Sequence, residues 1–177
     1  MLKLIINMGC DNMKKYELYI DFDGVILDTI KIMYKEIESF NRELSQKEID
    51  DFFKNYNWNG IINDKLIIND SINCIQKIID SHKFNVSILT HVYSIEEAME
   101  KIKYIRKYFK DITIIPCPKK ISKTKMVHTN EAILVDDYSG NLKEWSEEGG
   151  IPIKFSEKNN KKYTTINKLD MLLDLFK

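Results

Sequence analysis

The chain has 177 residues, enough for one domain with a substantial core, and its 27 basic residues balance 27 acidic ones, giving zero formal net charge. That leaves no global field to recruit a nucleic acid polymer or an anionic membrane, and no apolar run is long enough to span a bilayer. The three cysteines, Cys10, Cys74 and Cys117, are odd in number and lack ligand spacing, which argues against a disulfide scaffold or a zinc site and favours a reducing cytoplasm.

Residues 1–12 read as an N-terminal extension and 13–177 as a single domain. Met1 to Met8 is apolar but too short for a signal-peptide core, and no small-residue cleavage site follows it. Leu18, Tyr19, Ile20 and Phe22 are strand formers in a short run that ends at Gly24, as expected of a buried strand. Asp21 and Asp23 sit at its end. Side chains two apart on a regular strand share a face, so the two carboxylates are expected to converge on one spot. After Thr29, Ile30, Met33, Ile37 and Phe40 recur at helical spacing, and Ser45 opens a second acidic helical stretch through Phe53. Asp70 or Ser71 can cap a helix carrying Ile72, Ile75, Ile78 and Ile79. The stretch of helix and loop that separates the first strand from the next one exceeds the usual crossover length, which predicts a small helical cap over about 30–69.

From Phe84 the pattern becomes regular. Val86 to Thr90 is a predicted strand, and Ser94 with Glu97 forms a capping box opening a helix to about Lys110. Ile112 to Ile115 is a strand stopped by Pro116 and Pro118, and Ala132 to Val135 is another. A helix over Ser139 to Glu147 ends at Gly149-Gly150, followed by a strand from Ile151 to Phe155 and a closing amphipathic helix from Ile166 to Phe176. Strands alternating with helices imply right-handed βαβ units and an α/β fold: a Rossmann-like, three-layer α/β/α parallel sheet.

Ligands bind such sheets at the carboxyl ends of the strands. The residues there are Asp21 and Asp23, Thr90, and the pair Asp136-Asp137, with Lys119, Lys120, Lys123 and Lys125 leading to the last of these. Crowded carboxylates repel, and a site that keeps them favours a divalent cation, a shared proton, or both. Oxygen ligands in small number suit Mg²⁺. A hydroxyl and an ammonium nearby suit the oxygens of a phosphoryl group, so the set reads as phosphoryl transfer. Asp-x-Asp alone is weak, since solvated acids are common in turns, and it also occurs in metal-dependent sugar-nucleotide transferases. A non-catalytic binding domain is a third reading. Phe52, Phe53, Tyr56 and Trp58 could stack on a nucleobase, with core packing the plainer role.

Asp21-Phe-Asp-Gly-Val-Ile-Leu-Asp-Thr29, Leu89-Thr90, a following lysine and Val135-Asp-Asp137 together resemble the ordered motifs of the haloacid dehalogenase (HAD) superfamily of phosphohydrolases. Asp136 to Trp145 with Gly149 to Phe155 is similar to the deoxy-type 5′-nucleotidase (type C) branch, whose small cap follows the first strand. The resemblance implies a Mg²⁺-dependent phosphomonoesterase of the 5′(3′)-deoxyribonucleotidase kind, acting on a small phosphorylated metabolite such as a deoxynucleoside monophosphate. It implies Asp21 as nucleophile and Asp23 as acid and then base. It also implies Mg²⁺ on Asp21, the main-chain carbonyl of Asp23 and Asp136, with Asp137 in support. Thr90 and a lysine would hold the phosphoryl oxygens. Lys123, just after a capping Ser122, is the first choice and Lys125 the second. His91, beside Thr90, is a candidate substrate contact, although a histidine there is more often packed or capping.

Overall fold

The computed structural model describes residues 15–159 and 161–177; the expected extension at 1–12 and Cys10 lie outside the described residues. The strand-forming runs pair as one parallel sheet of six: β1 (Tyr16–Ile20), β2 (Phe84–Val92), β3 (Thr113–Pro118), β4 (Ile133–Asp136), β5 (Ile151–Phe155) and β6 (Thr164–Ile166), in the order β3-β2-β1-β4-β5-β6. Alternation along β1 decides which layer each side chain enters. Leu18 and Ile20 join the larger core beneath α3 (Ser71–Asp80) and α4 (Ile95–Tyr108), whereas Tyr19 joins Leu134, Leu142 and Trp145 beneath α5 (Ser139–Glu147). Helices thus cover both faces, giving the three-layer α/β/α architecture that the alternation of elements implies.

The chain switches direction across the sheet at β1, which lies between β2 and β4. Ile20 is in register with Ile88 on one side and Val135 on the other, and the Asp21 N–H donates to the Val135 carbonyl at 2.9 Å. This places the residues just beyond Ile20 beside the ends of both neighbours, at the switch point where open α/β sheets bind ligands.

Between β1 and α3, helices α1 (Ile30–Glu38) and α2 (Gln46–Lys54) bury a cluster of their own, formed by Met33, Phe53 and Trp58. Helix α2 opens with a full capping box, Ser45 and Glu48 satisfying each other's main-chain N–H groups. Phe53 stacks on Tyr93, just past β2, with ring centroids 4.8 Å apart, so this segment rests on the strand-end side of the sheet.

Several local expectations are corrected. β3 continues through Pro116 and Pro118, because it is an edge strand and a missing N–H costs nothing on the open side. The C-terminal stretch is not one amphipathic helix. Thr164–Ile166 forms the sixth strand, and only a 3₁₀ turn (Leu169–Met171) and the short α6 (Leu172–Leu175) follow, anchored by buried Leu169 and Leu172. Neither Asp70 nor Ser71 caps α3 with its side chain: Asp70 occupies the cap position at φ 60°, and the Ser71 hydroxyl instead donates to the Ile26 carbonyl.

Candidate active site

β1 ends at Ile20, and the chain then folds into a tight loop in which the Gly24 N–H donates to the Leu27 carbonyl and the Ile26 N–H to that of Phe22. Gly24 has φ +73°, and a Cβ there would collide with the Asp137 carboxylate, so this position needs glycine for both reasons. Asp21 and Asp23 line one cavity at the strand end, although β1 is no longer a regular strand there. Asp21 also gathers with Asp136 and Asp137, each offering an oxygen within 4.8 Å of the others. Asp23 turns its carboxylate to a neighbouring set: Oδ1 accepts from the Thr29 hydroxyl at 2.6 Å and Oδ2 from the Lys101 ammonium at 2.5 Å.

Asp136 is fully buried and held on every side. Its Oδ1 accepts from the Tyr138 N–H, and its Oδ2 from Asn141 Nδ2 at 2.8 Å and from Lys123 Nζ at 2.7 Å. Lys123 also lies 2.8 Å from Asp21 Oδ1, bridging the two strand ends. Its segment is a 3₁₀ turn (Lys123–Lys125) in which the Ser122 hydroxyl accepts from the Thr124 N–H; Lys123 is buried, whereas Lys125 points outwards to Glu148. Thr90, buried at the end of β2, sits 3.5 Å from Asp23 Oδ2 and 3.2 Å from Lys101 Nζ. His91 faces the same cavity, but its Nε2 lies 3.1 Å from the Ile121 carbonyl, an acceptor only, so this nitrogen carries the proton.

Burial is the main force on the acids. It pushes Asp21 up to about 7, with Lys123 opposing and the carboxylates of Asp136, Asp23 and Asp137 adding to the rise. Burial, then the Asp136 charge, pushes Asp137 up to about 6. Lys123 goes upward: burial alone would lower it, but Asp136 and Asp21 together outweigh that. Burial, helped by Lys123, pulls His91 down to about 4, leaving a neutral imidazole at pH 7.

The fit to a hard cation follows from this crowding. The donors are all carboxylate oxygens, and Asp21 Oδ1 is buried and accepts no well-directed hydrogen bond despite its nearby ammonium. Mg²⁺ suits such a set. In the absence of a divalent cation, the two raised acids make the folded state hold more protons than the unfolded one between about pH 4 and about pH 7. Stability contributed by these groups is therefore expected to fall as pH rises through that window. Added Mg²⁺ should raise the melting temperature more at pH 8 than at pH 5. Melting curves at the two pH values with and without Mg²⁺ check this, and a Mg²⁺ effect equal at both would refute the crowding.

Above the acids lies a cavity of about 500 Å³, walled by Met33, Phe53 and Trp58 from the helical segment and by Tyr93, Lys119 and Tyr138 from the sheet side. Lys101 is the residue that the sequence reading missed: its side chain is 1% exposed, yet it pairs with both Asp23 and Glu97.

No family model and no curated protein matches the sequence. Solved structures do match the fold. A haloacid dehalogenase-like hydrolase of Xanthomonas campestris aligns with TM-score 0.62 at 11% identity, covering 94% of this chain and 93% of that one. β-Phosphoglucomutase of Clostridium difficile aligns with TM-score 0.59 at 12% identity, covering 90% and 93%. A HAD hydrolase of Bacillus subtilis, solved with magnesium bound, aligns with TM-score 0.53 at 15% identity, covering 92% and 99%. A parallel six-stranded sheet between helical layers that aligns with these structures over nine-tenths of its length gives this chain the fold of the HAD-superfamily hydrolases.

Proposed function

We propose that this protein is a Mg²⁺-dependent phosphomonoester hydrolase working through an aspartyl-phosphate. The observation that carries the reading is the gathering of Asp21, Asp136, Asp137 and Lys123 at one strand edge, with Thr90 and Asp23 beside them. Asp21, Asp136 and Asp137 would hold the cation, which supplies charge neutralisation at the phosphoryl oxygens. The magnesium in the Bacillus subtilis relative supports that choice.

An Asp21 oxygen attacks phosphorus, and the bond from phosphorus to the ester oxygen breaks. Asp23 gives that oxygen a proton and the alcohol leaves. Asp23, now ionised, takes a proton from water, whose oxygen attacks the same phosphorus and frees phosphate and Asp21. Lys123 and Thr90 hold the non-bridging oxygens through ammonium and hydroxyl, which count most as charge grows on them. His91, neutral and tied to the Ile121 carbonyl, serves as a wall of the site and a substrate contact rather than a proton carrier.

The substrate we favour is a deoxynucleoside monophosphate. The support is the aromatic lining of Phe53, Trp58 and Tyr93, which offers flat apolar surface to a base, with segment 30–69 serving as the cap. The transferase reading is the weaker one, since it has no use for Asp136 and Asp137 gathered beside Asp21. Buried free thiols at Cys74 and Cys117 favour work in a reducing cytoplasm. Among the described residues, no helix is long and apolar enough to cross a membrane.

The test is phosphate release from a panel of phosphomonoesters and deoxynucleotides, with Mg²⁺ and with chelator. Release is expected only with Mg²⁺ and fastest from a nucleotide. No release from any ester would refute the hydrolase reading, and release without nucleotide preference would refute the substrate.

A further inference from the structure

We propose that Glu97 and Lys101 form a positioning device that fixes the Asp23 carboxylate and the Thr90 hydroxyl against the reacting phosphoryl group; this rests on the hydrolase reading above. The Lys101 ammonium has four oxygen neighbours: Asp23 Oδ2 at 2.5 Å, Glu97 Oε1 at 2.6 Å, the His91 carbonyl at 2.9 Å and Thr90 Oγ1 at 3.2 Å. An ammonium has three protons, so these acceptors use all of them and none remains for a substrate. Lys101 therefore acts through its neighbours, unlike Lys123.

The arrangement is rigid. Phe22 and Trp58 lie at 5.4 and 5.6 Å from the ammonium, closing it in with their ring faces. Glu97, buried itself, is anchored by its second oxygen, which accepts from the Tyr93 N–H at 2.7 Å. This diverts it from the expected capping box: Ser94 still accepts from the Glu97 N–H, but the carboxylate serves Tyr93 and Lys101 instead of the Ser94 main chain. Asp23 is then gripped at both oxygens, by Lys101 and by Thr29.

A buried ion pair is a poor source of stability, because desolvation offsets its attraction. Apolar side chains of the same volume would hold α4 to the sheet as well. What they could not do is orient a carboxylate and a hydroxyl at the strand end, where small misplacement is costly in rate.

The test uses Lys101→Met and Glu97→Gln, singly and combined, with an alkyl phosphomonoester and with p-nitrophenyl phosphate in Mg²⁺. The single Lys101→Met leaves Glu97 buried without its cation and is expected to melt lower. The double variant loses both charges together and is expected to melt near the wild type, keeping the test readable. On the alkyl ester its kcat should fall about 100-fold with KM changed less than about threefold. Nitrophenolate leaves without a proton, so with that ester the first turnover should lose only the Thr90 contribution, far less than the alkyl ester loses, and appear as a burst before a slow steady state. An unchanged kcat, or a loss equal for both esters with no burst, would overturn the positioning role while leaving the hydrolase reading intact. A wild-type protein inert to every ester would overturn both.

Discussion

Asp21→Asn is expected to abolish phosphate release, by at least about 10⁴-fold or ~5.4 kcal/mol in barrier, because an amide cannot form the acyl phosphate. The fold should survive. Asp21 is buried at the end of the central strand and its N–H is bonded to the Val135 carbonyl, a contact that Asn keeps. Burial and three nearby carboxylates disfavour its charge, so at pH 8 the neutral isostere should melt at or above the wild type in the absence of a divalent cation. Lys123 keeps Asp136 as a partner. The same variant should lose most of the stabilisation by Mg²⁺. Phosphate assays and melting curves on one preparation separate these outcomes, and retained turnover would defeat the aspartyl-phosphate mechanism. In the wild type, beryllium fluoride with Mg²⁺ should inhibit by occupying the phosphoryl position on Asp21, and Asp21→Asn should remove that inhibition.

The acids were legible in the sequence because each ends a short run of strand formers, Leu18 to Ile20 and Ile133 to Val135, and a parallel sheet brings strand ends together. Their hydrogen-bond partners were not. Asp21 and Asp23 line one cavity, but β1 ends at Ile20, and what each carboxylate touches beyond it, Lys123 for Asp21 and Thr29 and Lys101 for Asp23, follows from the loop and not from a period of two. Lys101 was hidden for another reason. Glu97 and Lys101 stand four apart on a helix, the usual mark of a solvated pair. Here the first turns of α4 are inverted: Ile95 and Met99 are exposed, while Glu97 and Lys101 are buried. A signal was present, since the two charges continue the stripe of Tyr104, Ile105 and Tyr108 towards the strand ends. Extending that stripe would have placed a lysine beside Thr90. The sixth strand escaped because Thr164–Ile166 is too short for any period to register.

Lys123 and Lys125 provide the last expected difference. They are two residues apart in a 3₁₀ turn of about three residues per revolution, so they point well away from each other. Lys123 is 2% exposed and touches Asp21 and Asp136, whereas Lys125 pairs with Glu148 at 3.0 Å with both side chains at least half exposed. Lys123→Met should cost about 3 kcal/mol of transition-state stabilisation, about two orders of magnitude in rate, through loss of the ammonium facing the phosphoryl oxygens. It should also destabilise the fold by roughly 3–5 kcal/mol when no divalent cation is present, since two buried carboxylates lose their partner. Mg²⁺ should recover part of that stability and little of the rate, because the cation replaces the lost charge but not the ammonium's hydrogen bonds. Lys125→Met should change the rate less than about threefold and stability by less than about 1 kcal/mol, as for an exposed ion pair. Turnover measured below the melting point of each variant, alongside melting curves with and without Mg²⁺, distinguishes the two effects. If Lys125→Met carries the larger rate loss, the phosphate sits on the outer side of this turn and the assignment of Lys123 fails.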